Sequence, residues 1–213
     1  MSRKLRIIAL HGWKQNAAVL RAKTGALRKA TAHQADWFFV DAPHLVESDA
    51  NQSESEERTF WTFKEDDKLH YGGVQETVAT IASAMRAFAP IDGIFGFSQG
   101  SGVATYLLGA CANDAAFAAA NPDLSALRFA ILVSGFKPRA TEMQRVLADA
   151  SVTVPALIVI GKADQIIKPE TTMLQSALFT DATVRTHDGG HSVANKASVE
   201  EMTLFLSRFV VTQ

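Results

Sequence analysis

Apolar residues along the chain fall into two alternating patterns. Short, largely apolar runs occur at 5–10, 37–40, 91–97, 129–133 and 154–160, with a weaker one at 183–186. Runs of this length, without a polar residue at every second position, suit strands covered on both faces of a parallel sheet. Between them, segments 16–32, 74–88, 101–112, 141–150, 169–178 and 198–211 carry apolar residues three and four apart; Val74, Val78, Ile81 and Met85 form one such stripe. Pro169 fits the first turn of its helix and Ser198 the N-cap of the last. Strand-helix alternation of this kind predicts an α/β fold: a three-layer α/β/α sandwich around a mostly parallel sheet of about six strands.

One stretch breaks the rhythm. Residues 45–73 hold eight acidic side chains against three basic ones, with Phe60, Trp61, Phe63 and Tyr71 among them. A segment this long inside an α/β domain reads as a lid or a surface insertion. With 213 residues, the chain is expected to form one domain over 1–213, carrying 45–73 as that lid or insertion loop.

Composition narrows the function. A net charge of −1 gives no electrostatic footprint for nucleic acid, and none is expected as a partner. The single cysteine, Cys111, permits no internal disulfide and no multi-cysteine zinc site, and the scattered histidines form no H-E-x-x-H pattern, so no metal is expected. The apolar run after the basic start is too short for a signal peptide, and no stretch approaches the roughly 20 apolar residues that span a bilayer. A cytoplasmic protein without a membrane span is expected.

The candidate chemistry begins at Gly96-Phe97-Ser98-Gln99-Gly100. The Gly-x-Ser-x-Gly pattern alone is weak. Here it joins a predicted strand to a predicted helix rich in small residues, which is the layout of a nucleophile elbow. A sharp turn of that kind pushes the serine hydroxyl out at the end of the strand, and brings the residues two before and two after close together, so glycine is favoured there. The neighbouring Gly100-Ser101-Gly102-Val103-Ala104-Thr105 meets only the first two positions of a dinucleotide fingerprint, and no P-loop lysine follows.

A serine hydroxyl needs a histidine base, and the histidine needs a carboxylate to fix its tautomer. With the elbow, the expected chain order is serine, acid, histidine. Only His187 and His191 follow Ser98. His191, after the flexible Asp188-Gly189-Gly190, is favoured, with His187 as the alternative. Asp164, just beyond the 154–160 run, is the favoured acid; Asp181 and Asp188 flank the last strand, where turns commonly use aspartate. The expected oxyanion hole combines the backbone N–H groups of Gln99 and of Trp13, in the loop after the first strand. His11 precedes the serine, and its expected role is to hydrogen-bond neighbouring loop backbone. Phe60, Trp61 and Phe63 are candidate pocket residues.

Several blocks together resemble a known family: Leu10-His11-Gly12-Trp13-Lys14-Gln15-Asn16, Lys23-Thr24-Gly25-Ala26-Leu27-Arg28-Lys29, Asp41-Ala42-Pro43-His44, Arg58-Thr59-Phe60-Trp61, the Asp92–Gly100 stretch around the elbow, Val133-Ser134-Gly135-Phe136 and Gly189-Gly190-His191. They resemble the eukaryotic serine hydrolases abbreviated FSH, particularly the ovarian-cancer-associated esterase-like branch. The resemblance implies a compact α/β-hydrolase, a triad of Ser98, Asp164 and His191, no cofactor, and hydrolysis of carboxylic esters with alkyl or acyl chains; some relatives are thioesterases. Phe60 departs from the tryptophan common in relatives. The expectation is therefore a serine hydrolase that takes a small-molecule ester through an acyl-enzyme on Ser98. An acyl thioesterase using the same triad is the alternative, and a non-catalytic binding protein on the same fold is a third. The acidic 45–73 segment argues against strongly anionic substrates.

Overall fold

The structure is a computed structural model that describes residues 3–46, 56–64, 66–193 and 195–210. The chain enters through β1 (Leu5–Leu10), turns through α1 (Ala17–Lys23) and α2 (Gly25–Ala30), and returns as β2 (Ala35–Val40). Four short strands follow: β3 (His44–Leu45), β4 (Arg58–Thr59), β5 (Thr62–Lys64) and β6 (Asp67–Gly72). Then come α3 (Val74–Ala87) and β7 (Gly93–Phe97). The remainder is α4 (Gln99–Asn113), α5 (Ala115–Ala120), α6 (Pro122–Ser125), β8 (Phe129–Val133), α7 (Thr141–Leu147), β9 (Ala156–Gly161), α8 (Pro169–Ser176), β10 (Ala182–His187) and α9 (Lys196–Ser207).

Six strands form one sheet in the order β10-β9-β8-β7-β1-β2, and every neighbouring pair is parallel. Alternate residues of each strand point to opposite faces. Ile8, Leu10, Ile94, Ala130, Leu132, Ile158 and Ile160 meet Ile81, Met85, Val103, Leu107, Met143 and Leu147 on one face. Ile7, Ala9, Phe95, Phe97, Ile131, Val133 and Val159 meet Leu20, Leu27, Met202, Phe205 and Leu206 on the other. Both faces are covered, which is why the strand sequences lack apolar/polar alternation.

The chain starts in β1, moves outward to β2, and comes back to β7 on the other side of β1. Strand order reverses there, so the loops leaving the carboxyl ends of β1 and β7 face each other across a crevice. Those loops begin at His11 and Ser98.

Three local details differ from the periodicity. The helix expected over 16–32 is two helices broken at Thr24, whose hydroxyl donates to the Leu20 carbonyl at 2.9 Å alongside its own amide at 3.0 Å. Asn16 caps the first of them, accepting from the Val19 amide at 2.9 Å. Ser198 is not the N-cap of the last helix. Asn195 is, and Ser198 answers it from the third helical position: Asn195 accepts from the Ser198 amide at 3.0 Å, and the Asn195 amide donates to Ser198 Oγ at 2.8 Å.

The 45–73 segment pairs with itself where it is described. β3 and β4 form one antiparallel pair, β5 and β6 another. Residues 47–55 and 65 of the expected lid lie outside the described residues.

At the opposite end of the sheet, Asp92 ties three segments together. Its oxygens accept two hydrogen bonds from Arg3 at 2.8 Å each, one from Arg128 at 2.9 Å and one from the Arg6 amide at 2.9 Å. Burial alone would raise its pKa, but these bonds outweigh it and hold the carboxyl below the usual carboxylate range. A carboxylate depressed in the folded state stabilises it above the ordinary value of about 4, and that contribution is lost as pH falls through the lowered folded value. Asp92→Asn is expected to lower stability by roughly 2–4 kcal/mol at pH 7. Urea unfolding from pH 7 downwards should show the gap to wild type narrowing below about pH 4.

Candidate active site

Ser98 occupies the turn between β7 and α4 at φ 54°, ψ −115°. For a residue with a Cβ this region is strained by about 1–3 kcal/mol, a pattern that clusters at functional sites. The surroundings enforce it. The Ser98 amide donates to the Val133 carbonyl at 2.9 Å, in line with the sheet. A Cβ on Gly96 would stand 2.5 Å from the Gly100 carbonyl oxygen and 2.6 Å from Ser101 Cα. A Cβ on Gly100 would collide with the Leu10 carbonyl and lie 2.7 Å from that of His11. Glycine at both positions therefore lets α4 start directly against the end of β1.

The β1 loop approaches from the other side. A Cβ on Gly12 would be 3.3 Å from Ser98 Cβ. Lys14 holds a left-handed φ of 56°, and Arg58 donates its amide to the Gln15 carbonyl at 2.9 Å, pinning the loop to β4. The Gly12 N–H is taken by Gln15 Oε1 at 3.4 Å, whereas among the described residues no acceptor engages the Trp13 N–H. The Gln99 N–H belongs to the first turn of α4, where no preceding helical carbonyl exists to receive it.

His11 is fully buried, with both ring nitrogens engaged by loop backbone. Its Nε2 accepts from the Ala42 amide at 3.0 Å, which puts the proton on Nδ1, 2.8 Å from the Gly12 carbonyl. Burial pushes its pKa down, so it serves as a neutral brace between two loops.

Asp164 and His191 come from the ends of β9 and β10. Asp164 Oδ1 accepts from the Ile166 and Ile167 amides, each at 2.9 Å, and Oδ2 lies 2.7 Å from His191 Nδ1. Burial would raise the Asp164 pKa, but His191 and the two amides more than offset it and hold the group below its ordinary value. The two loops lie against each other: a Cβ on Gly161 would be 2.5 Å from the Gly190 carbonyl, and the Ala163 amide donates to the Gly189 carbonyl at 3.1 Å. The His191 ring rests on Phe97, the residue before Ser98, with centroids 4.9 Å apart.

The competing candidates are engaged elsewhere. His187 is buried, with Nδ1 accepting from the Gly189 amide at 3.1 Å, and burial lowers its pKa. Asp188 pairs with Lys162 at 2.9 Å in open solvent, and Asp181 with Arg208 at 3.3 Å.

A cavity of about 550 Å³ opens over Ser98, with Trp13, Trp61, Phe63, Phe136 and Ile166 in its apolar wall. Phe60 does not line it. Its ring is fully buried, 4.8 Å from that of His11, in the bend between β4 and β5. Sequence reasoning also missed the side chain of Gln99. It is buried, accepts from the Phe60 amide at 3.0 Å, pairs with the Thr59 hydroxyl at 2.8 Å and donates to the Trp61 carbonyl at 3.3 Å. No local pattern signals such a clamp, since its partners lie some forty residues away.

Residues 1–203 match the family described as serine hydrolase (FSH1). The chain is 32% identical to the mouse protein named Esterase OVCA2, over 96% of each chain, and 33% identical to the zebrafish protein of that name, over 96% of this chain and 97% of that one. The fold is similar to that of Zea mays acyl-protein thioesterase 2 (TM-score 0.72, 19% identity, 98% of this chain and 94% of that one). It is likewise similar to a Bacillus cereus carboxylesterase (TM-score 0.63, 19% identity, 98% of this chain and 90% of that one). With an elbow serine at the switch point of an all-parallel α/β-hydrolase sheet, the chain belongs to the FSH1 family of serine hydrolases.

Proposed function

We propose that the protein hydrolyses carboxylic esters through an acyl-enzyme on Ser98, with His191 as base and Asp164 as its orienting acid. The observation that carries this reading is the 2.7 Å contact between Asp164 Oδ2 and His191 Nδ1 beside a strained serine at the end of β7. Asp164 fixes the proton on Nδ1, which leaves the Nε2 lone pair to take the hydroxyl proton. Among the described residues Ser98 has no direct hydrogen bond to His191. Such bonds commonly tighten when substrate arrives.

Attack on the ester carbonyl forms a tetrahedral oxyanion, which the Trp13 and Gln99 N–H groups receive; each such donor is typically worth about 3 kcal/mol. The alcohol leaves with the proton held by His191. Water then repeats the sequence against the acyl-enzyme and releases the acid. The apolar wall suits an acyl or alkyl chain, and the esterase names of the relatives favour oxygen esters. A thiol ester would pass through the same steps, and a matched pair of oxygen and thiol esters separates the two. The lone, half-buried Cys111 is compatible with a reducing compartment, and we assign the protein to the cytoplasm. Among the described residues no helix is long and apolar enough to cross a membrane.

Gln99 acts in this scheme as a positioning residue. Its backbone faces the oxyanion, while its side chain fixes the Thr59–Trp61 wall at one set distance from the elbow.

A fluorophosphonate probe is expected to label wild type on Ser98 and leave Ser98→Ala unlabelled; labelling of the variant would place the nucleophile elsewhere. His191→Ala is expected to lose on the order of 10⁴-fold in turnover, with His187→Ala retaining most of it, and the reverse pattern would reassign the base. Gln99→Ala keeps its backbone donor but frees the wall. Its KM for a long-chain ester should rise about tenfold while kcat changes less, and Gln99→Glu, which loses the donor to Trp61, should not restore the wild-type KM.

A further inference from the structure

The cavity over Ser98 is not lined by apolar groups alone. Three cationic side chains, Lys68 from β6, Arg139 from the segment before α7 and Lys168 from the segment before α8, share its wall with Trp61, Phe63 and Ile166. No carboxylate is among the described residues that line it. Among the described residues none of the three cations joins an ion pair. All three are solvent-exposed, on three different elements.

Three of the described acidic side chains on the neighbouring hairpins have partners of their own, while Asp66 is exposed and joins no ion pair among the described residues. Glu56 pairs with Arg58 at 2.7 Å, Glu57 with Lys14 at 3.5 Å and Asp67 with His70 at 2.9 Å. The excess negative charge of 45–73, taken as a sum, predicts a site that repels anions. The charged residues that line the cavity have the opposite sign.

We infer that the site selects esters carrying an anionic group, a carboxylate or a phosphate, which the Lys68, Arg139 and Lys168 side chains receive at the rim while the aliphatic part lies against the aromatic wall. This deepens the ester-hydrolase reading and rests on it. Like-signed charges at the mouth of a low-dielectric cleft focus the field and raise the local concentration of an opposite charge. Exposed cations bind weakly one at a time and are screened by salt, so selection appears in KM and fades as ionic strength rises. The carboxylate could sit on the acyl side or the phosphate on the alcohol side, because the cations surround the mouth on several sides.

The test uses two matched pairs. For the acyl side, p-nitrophenyl octanoate is compared with mono-p-nitrophenyl suberate. For the alcohol side, 2-hydroxyethyl octanoate is compared with its phosphate monoester. The readout is the ratio of kcat/KM for the anionic member to that for the neutral one. At low ionic strength at least one pair is expected to give a ratio of roughly ten, carried by KM and falling towards one in high salt. The pair that shows it identifies the side and the anion.

The double variant Arg139→Glu/Lys168→Glu should lower that ratio at least tenfold; Lys68→Gln should lower it less. Both changes lie on exposed side chains, and the fluorophosphonate labelling rate of Ser98 reports whether the variants are folded. The salt titration needs no variant. Ratios at or below one in both pairs, with the neutral esters turned over, would overturn this inference and leave the esterase reading standing. Neutral and anionic esters both inert, with Ser98 unlabelled, would overturn both. Tight sedimentation with phosphatidylglycerol vesicles at ratios near one would overturn it in favour of a lipid surface.

Discussion

The close approach of Gly100 to the Leu10 and His11 carbonyls sets the geometry of everything around it. A side chain at that position would push α4 away from β1. The turn at Ser98 would relax, and the loop at Gly12 would lose its contact with the serine. Small residues continue the requirement along the helix: a Cβ on Gly102 would press the Phe136 ring at 3.1 Å, and Ser101 and Ala104 are fully buried. The strain at Ser98 persists because the sheet, the β1 loop and α4 determine the turn from three sides. Backbone packing, not any attractive contact of the serine itself, raises the hydroxyl into the crevice.

The proposed acid and base depend on a second close approach, between Gly161 and the carbonyls of Gly189 and Gly190. It brings two loops from adjacent parallel strands into register. Asp164 then has both oxygens occupied, one by two amides and one by His191, so its orientation is fixed independently of substrate. A carboxylate satisfied in this way resists protonation and can hold an imidazole through a change of charge. The parallel sheet needs no special side chains for this. The carboxyl ends of β7, β9 and β10 lie on one edge by construction, and short loops carry the groups the remaining distance.

Most of this was legible in the sequence because its physical signals are local. Buried strands are apolar runs, and the elbow glycines are bounded by a strand and a helix. Order along the chain separated His191 and Asp164 from most of their competitors. The family blocks narrowed the choice further. What escaped depends on distant partners. The break at Thr24 between two short helices leaves no mark in the apolar spacing of 16–32. Asn195 and Ser198 are both good capping residues, and only their reciprocal bonds show which sits first. The inward turn of Phe60, next to Trp61 on the cavity wall, is set by the bend between β4 and β5 and by the Gln99 side chain that holds its amide. The Gln99 clamp pairs the elbow with a segment some forty residues earlier, a contact that no periodicity encodes.

Charge gives the sharpest contrast between composition and geometry. Summed over a segment, it describes the field far from the protein, where salt screens it within about 10 Å. A substrate entering the crevice responds instead to the few side chains within that distance. Glu56 lies against Arg58 and Glu57 against Lys14, which cancels much of their field close by, and Asp67 is hydrogen-bonded to His70. Lys68, Arg139 and Lys168 have no ion-pair partner among the described residues and stand beside the apolar wall of the cavity. Near Ser98 the uncancelled charges therefore set the sign, and a segment that is acidic in sum can border a site that favours anions.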